Sequence, residues 1–163
     1  MSFVDLTPPP TLRDRMWRAV FRVGFPIART WWRLSKPTHV GALVAIYVDG
    51  ALLLVRASYR AEWTFPGGGV RAREAPAEAA QRELLEEIGL ATSLAGPSRV
   101  LDGVWDGFPD CVHVFELKLD KPPALRLDNR EVVAVRLVSG GEVDAIRVTG
   151  PVAAYLRVAH ATA

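Results

Sequence analysis

The sequence predicts an α+β fold, a mixed layered sandwich in which strands dominate and helices interrupt them. Three observations carry that expectation. Apolar runs with strand character recur from residue 39 onward. The body holds one clear helix, over 76–88, bounded by Pro76 and Gly89. Strands and helices do not alternate regularly, which argues against a doubly wound parallel sheet. At 163 residues the chain suffices for one domain with a sizeable core and a short extension. Half its residues are hydrophobic and 23% are charged, the composition of a globular protein rather than a disordered one.

Residues 7–11 read TPPPT, a stiff start that cannot be helical. From residue 12 to 34 the pattern turns helical. Met16, Val20, Val23 and Ile27 recur at three- and four-residue steps, and Arg15, Arg18, Arg22, Arg29 and Arg33 fill much of the rest. Gly24 and Pro26 break or bend this stretch, so two short helices fit as well as one. SKPT at 35–38 reads as a linker, dividing a basic amphipathic extension (1–38) from the main domain (39–163). From residue 39 the period changes. HVGALVAIYVDGALLLVR has two β-rich runs joined at Asp49-Gly50, a dipeptide associated with tight hairpin turns. A loop with a short extended piece, YRAEWTFPGGG, follows. The helix over 76–88 takes Pro76 in its first turn and Gly89 just past its end. Strands are expected at 98–105, 111–119 and 131–138, and a helix near 152–159 completes the chain.

The net charge of +2 hides an asymmetry. Residues 1–36 carry seven basic side chains against Asp5 and Asp14, whereas residues 37–163 carry thirteen basic against sixteen acidic. The body therefore lacks the basic field of a nucleic-acid-binding domain. A single cysteine, Cys111, excludes an intramolecular disulfide and suits a reducing cytoplasm. The best membrane-span candidate, VGALVAIYV at 40–48, falls well short of the roughly 20 residues a bilayer needs. Arginines interrupt every apolar stretch near the N-terminus, so no secretory signal is expected.

Residues 68–90 hold five glutamates, and Glu83, Glu86 and Glu87 crowd into little more than one turn. Like charges at that spacing repel. On a helix the three carboxylates share a face, while Leu84, Leu85 and Ile88 can turn toward the core. Arg82, four residues after Glu78 and four before Glu86, can tie the cluster together. A charge run on a helix is usually a solvated face. Two features weigh against that here: no lysine is interleaved with the carboxylates, and a Gly67-Gly68-Gly69 loop precedes the helix, where backbone can approach a ligand closely. Together they predict a site for hard divalent cations, liganded by side-chain oxygens and a glycine carbonyl. Magnesium takes one or two protein carboxylates and completes its shell with water and phosphate oxygens, which would relieve the repulsion.

The same residues resemble a known family motif. Gly68, five residues, Glu74, seven residues, then RELLEEIGL from Arg82 to Leu90 match the Nudix box, G-x5-E-x7-R-E-U-x-E-E-x-G-U with U a bulky aliphatic, at all nine fixed positions over 23 residues. The likeness runs from residue 39 to the C-terminus and does not cover residues 1–36. It implies a MutT-like Nudix hydrolase, an α/β/α sandwich around a mixed β-sheet. Its activity would be hydrolysis of the diphosphate linkage in a nucleoside diphosphate joined to another moiety, by a metal-activated water. The implied cofactor is Mg²⁺, with Mn²⁺ as an alternative. The resemblance also implies that Glu83, Glu86 and Glu87 are metal-binding carboxylates, with the Gly67 carbonyl as a further ligand. Glu83 or Glu86 would double as the water's general base. Gly68, Glu74, Arg82 and Gly89 would be structural members of the motif. Family members often use an acid outside the box, which points to Asp128 or Glu131; for Glu131 the start of an edge strand is an equal reading. Arg56 stands where relatives often contact a substrate phosphate. Tyr59, Arg60 and Trp63 could stack on or pair with substrate, although Trp63 and Phe65 could equally plug the sandwich. His113 reads as a packed strand residue. The residue before Glu74 is commonly glycine in the family, and here it is Arg73.

No subfamily signature follows the box, so dinucleoside polyphosphates, ADP-ribose, nucleotide sugars and damaged nucleoside triphosphates all fit. The expected partner is a small nucleoside diphosphate derivative, with no specific nucleic-acid binding, and a homodimer is in keeping with the family. Two other readings stand beside the enzyme. One is a non-catalytic Nudix-fold module that senses a nucleotide-like ligand; such modules commonly lose box carboxylates, and none is lost here. The other is a membrane-peripheral protein acting through residues 12–34, where basic residues accompany Trp17, Trp31 and Trp32. Packing of that segment on protein is the favoured alternative, because apolar helix faces are usually buried in protein.

Overall fold

Apolar side chains occupy both alternating sets of residues 40–48, so this segment suits a central strand covered on both faces. It forms β1 (His39–Val48) in the computed structural model, which describes residues 11, 12, 14–20, 24, 39–105, 107–127 and 131–161. Ala42, Val44, Ile46 and Val48 enter one core and Ala45 enters the other. Asp49 and Gly50 have φ of 48° and 78°, both positive as a two-residue type I′ loop requires. β2 (Ala51–Ala57) returns antiparallel, but its register with β1 covers only Ile46↔Leu53 to Val48↔Ala51. Beyond that β1 exchanges partners. β3 (Gly67–Gly69) pairs with its residues 41–43, and Val44 N–H donates to the Pro66 carbonyl at 2.9 Å.

α1 (Pro76–Ile88) ends where Gly89, at φ 69°, turns left-handed and donates its N–H to the Leu84 and Leu85 carbonyls. It buries Ala79, Ala80, Leu84 and Ile88. Leu85, expected to turn inward, is 55% exposed, because the buried stripe repeats at three to four residues and Leu85 lies about 60° beyond Ile88, at its edge. Next come β4 (Arg99–Trp105), β5 (Phe108–Leu119) and β6 (Val132–Val138). β5 starts three residues before the expected position, since Trp105 pairs with Phe108 across a tight connection in which Gly107 has φ 87°. A short helix, α2 (Gly140–Val143), was not expected; its signal is Ser139 with Glu142, whose carboxylate accepts the Ser139 hydroxyl at 2.7 Å. α3 (Gly150–His160) closes the fold.

The sheet order is β4-β5-β1-β2-β6, with β3 attached to β1. β1 and β5 run parallel through ten pairs and the other strand pairs are antiparallel, so the sheet is mixed. α1 covers one face through Ala79, Ala80, Leu84 and Ile88. α3 covers the other with Val152, Tyr155 and Leu156, together with Trp63 and Phe65. The Phe65 and Tyr155 rings meet edge to face at 5.3 Å. This is an α/β/α sandwich around a mixed sheet.

Of the extension, residues 14–20 are helical, and Asp14 accepts the Thr11 amide and hydroxyl at 2.8 and 2.6 Å. Met16 and Val20 are exposed. Val23, Ile27, Trp31 and Trp32 lie outside the described residues. Among the described residues no helix is long and apolar enough to cross a membrane.

Candidate active site

Side chains could not occupy the place that Gly67 and Gly68 take. Gly67 has φ 138°, and a Cβ there would lie 2.2 Å from the Ala42 carbonyl oxygen. A Cβ on Gly68 would lie 2.7 Å from the Glu83 carboxylate. The backbone of β3 is thus pressed between β1 and the first glutamate of the RELLEE run. Gly67 N–H donates to Glu87 Oε2 at 2.9 Å. Glu83 and Glu87, four residues apart on one helix face, therefore both address the glycine strand. Glu86 lies to the side, with 54% of its side chain exposed, 3.4 Å from Arg82 and 3.8 Å from Arg71.

Arg82 organises the loop. Its Nε donates to Glu74 Oε1 at 2.8 Å and its Nη2 to Glu74 Oε2 at 3.0 Å, a bidentate pair. Nη1 donates to Glu83 Oε1 at 2.6 Å, and Nη2 also reaches the Gly69 carbonyl at 3.1 Å. One guanidinium thereby joins loop, glycine strand and helix. Glu78 turns the other way and accepts the Ala75 N–H at 3.0 Å, closing the first turn of α1. Arg73, the departure from glycine, sits at φ 68°, a left-handed conformation that glycine adopts without the penalty of about 1–2 kcal/mol borne by other residues.

The Arg82 guanidinium, with the Arg71 N–H second, holds the Glu74 carboxyl at about 2, below the ordinary 4.5. The folded-state value is depressed, so this contribution to stability is present above pH 4.5 and is lost as pH falls toward 2. Urea midpoints measured between pH 5 and 2 are expected to fall more steeply in wild type than in Glu74→Gln, which lacks the titrating group. Parallel profiles would show that the ion pair contributes no pH dependence.

A cavity of about 420 Å³ opens beside the glutamates. Its centre is formed by Gly67, Gly68, Gly69, Glu83 and Glu87. Toward β6 it is walled by Tyr59, Arg60 and Glu131, and toward β4 and β5 by Trp105 and Asp110. Tyr59 Oη donates to Glu131 Oε1 at 2.8 Å. Burial first, and the Glu131 charge second, push the Tyr59 hydroxyl well above 10, so it stays a donor. Arg56 and Trp63 lie elsewhere. Trp63 is buried in the α3-side core, with the guanidiniums of Arg56 and Arg136 over its ring at 5.2 and 4.7 Å. His113 is half-buried and hydrogen-bonded to Ser98 at 2.9 Å. Asp128 lies outside the described residues. Trp105 and Asp110 were not expected at the site, although the sequence carries a signal in a second Asp-Gly dipeptide at 106–107; the β4–β5 register puts both residues at one end of the sheet.

The donor set fits a hard divalent cation. Among the described residues the cavity walls carry four carboxylates, Glu83, Glu87, Asp110 and Glu131, and one guanidinium, Arg60. An anionic diphosphate is repelled from such a surface unless cations enter with it. Among the described residues no three acidic, histidine or cysteine side chains form a ready metal cage. Magnesium needs none, because it binds through one or two carboxylates and fills its shell with water and phosphate oxygens.

The family model of the NUDIX domain matches residues 37–156. Over 52 residues the chain is 50% identical to the RNA pyrophosphohydrolase of Halorhodospira halophila, a stretch covering 32% of this chain and 28% of that protein. The match thus spans less than a third of that curated relative. A solved NUDIX hydrolase from Nitrosomonas europaea aligns with a TM-score of 0.64 at 22% identity, covering 77% of this chain and 90% of that one, a likeness of fold. The MutT NUDIX hydrolase of Burkholderia pseudomallei aligns at 27% identity and a TM-score of 0.56, over 64% of this chain and 84% of that one.

Proposed function

Because the chain belongs to the Nudix family, we propose that it is a pyrophosphohydrolase, cleaving the diphosphate linkage of a nucleoside diphosphate derivative with water. The observation that carries this reading is the placing of Glu83 and Glu87 together in one cavity wall, against the backbone of Gly67 and Gly68. Glu83, Glu87 and the Gly67 carbonyl would hold a divalent cation, Mg²⁺ or Mn²⁺, with Glu86 at the side. The bound cation supplies neutralising charge for the diphosphate and a water of lowered pKa.

The chain's own groups do the rest. A carboxylate of the Glu83/Glu87 pair takes the proton of the attacking water. The glycine strand leaves the phosphate chain free to lie close to backbone. Arg60 offers a guanidinium to a phosphate oxygen, and the Tyr59 hydroxyl holds the Glu131 carboxylate in place at the same end. The curated relatives are named for RNA, so a 5′-triphosphorylated RNA end joins dinucleoside polyphosphates, ADP-ribose and nucleotide sugars as a candidate. The acidic surplus of residues 37–163 favours engagement of such an RNA at its terminal nucleotide over a grip along its backbone.

The test is phosphate or nucleotide release across that panel in ¹⁸O-labelled water, with and without Mg²⁺. At least one substrate is expected to be cleaved only with the cation present, with one labelled oxygen in a product. Silence across the panel from folded protein would sink the hydrolase and favour the ligand-sensing module.

A further inference from the structure

The glutamates, the glycine strand, Arg60 and Glu131 occupy the centre of the cavity and its β6 end, and a separate pair of side chains walls the β4–β5 end. There Trp105 and Asp110 face the same space, and the strand register shows how they meet. Gly103 pairs with Asp110 and Trp105 with Phe108, so Trp105 stands two residues beyond Gly103 on the same face of β4. The indole lies back over Gly103, where a Cβ would sit 2.5 Å from its Cζ2. Its five-membered ring is seated on Gly150, the first residue of α3, where a Cβ would sit 2.1 Å from Cδ1. Two glycines from different elements thus make room for one indole, and the carboxylate paired opposite Gly103 lies beside it.

We propose that Trp105 and Asp110 form the nucleobase subsite of the substrate, the indole stacking on the base and the carboxylate accepting hydrogen bonds from its N–H edge. The proposal rests on the hydrolase reading only for where the diphosphate lies. Gly41 of β1 pairs with Gly69 on one side and Val112 of β5 on the other. Two strand spacings, about 10 Å, therefore separate the glycine strand from β5, a distance that a ribose and its first phosphate can bridge.

A carboxylate only accepts hydrogen bonds. Asp110 Oδ1 is buried, so the base meets Oδ2, to which guanine presents the adjacent N1–H and N2–H. Adenine and cytosine present an amino group beside an acceptor nitrogen, and uracil presents one N–H between two carbonyls. The site therefore selects guanine and disfavours uracil.

Nucleoside 5′-monophosphates contain no diphosphate linkage, so they test the subsite without hydrolysis. Titration calorimetry with GMP and UMP in Mg²⁺ would compare wild type, Asp110→Asn, Trp105→Ala and Trp105→Phe, each checked for a native melting transition. Wild type is expected to bind GMP at least roughly tenfold tighter than UMP, the size of one paired set of base contacts. Asp110→Asn should lose that preference and leave UMP unchanged. Trp105→Ala should weaken both ligands by roughly fivefold or more, the effect of a lost stacking partner, and Trp105→Phe should retain most of the affinity. Equal binding of GMP and UMP to wild type, or no binding of either, would overturn the proposal. So would equal losses for both ligands in Asp110→Asn, because a carboxylate holding ribose hydroxyls does not sense the base. Failure of the hydrolase reading would leave guanine selectivity intact, with no Mg²⁺-dependent cleavage.

Discussion

Glu87→Gln is expected to lower kcat/KM by roughly 10²–10⁴-fold, the range for removing a general base, while the melting temperature stays near that of wild type. Glu87 Oε2 accepts the Gly67 N–H at 2.9 Å, and the amide oxygen of glutamine can accept the same bond, so the glycine strand keeps its anchor. What disappears is the negative charge in the cavity wall. With it goes a ligand for a hard cation and a place for a proton, and Mg²⁺ titration should show a higher half-saturating concentration. Glu86→Gln is the comparison, because its side chain is 54% exposed and lies beside Arg82 and Arg71. A smaller loss there would separate the two cavity-facing carboxylates from the third. Equal activity in Glu87→Gln and wild type would mean that the charge has no part in the chemistry.

Gly67→Ala is expected to destabilise the fold by about 2–4 kcal/mol, the size of a backbone clash combined with strain. The residue sits at φ 138°, and its Cβ would meet the Ala42 carbonyl oxygen at 2.2 Å and the Leu43 Cα at 2.8 Å. Both obstacles are backbone of the central strand, so no rotamer change relieves them. β3 would have to leave β1, breaking the Leu43↔Gly67 register and the Gly67–Glu87 hydrogen bond. Gly69→Ala provides the contrast, since a Cβ there meets nothing within 4 Å. Urea unfolding of the two variants measures the difference. Equal stabilities would show that the glycine strand does not lie against β1 as described.

Local chemistry made much of the fold legible in the sequence. Pro76 and Gly89 bound the helix because one cannot donate an N–H and the other accepts a left-handed φ of 69°. Asp49-Gly50 marks its hairpin for a similar reason, both residues having positive φ. Less visible was anything decided between distant segments. Arg82 has Glu78 and Glu86 within reach along the helix, yet it takes Glu74 in a bidentate pair because the loop folds back over the helix. Trp63 turns into the α3-side core instead of the cavity, a choice that depends on which face the loop crosses. Trp105 and Asp110 share a subsite only because β4 and β5 form a hairpin at the sheet's end, and an Asp-Gly dipeptide hints at the hairpin but not at the cavity.

The parallel pairing of β1 with β5 also has a kinetic consequence. It joins residues about seventy positions apart, and closing so long a loop makes such contacts slow to form. The Nudix box, by contrast, brings Glu87 to Gly67 over twenty residues and Arg82 to Glu74 over eight. During folding, the carboxylates and the glycine strand can find one another by short-range search, whereas the wall bearing Asp110 must await the long-range strand. Glu131, brought to Tyr59 across seventy-two residues, waits on the equally distant β6, so the helix carboxylates and the glycine strand form a locally closed centre between two walls that each need long-range pairing.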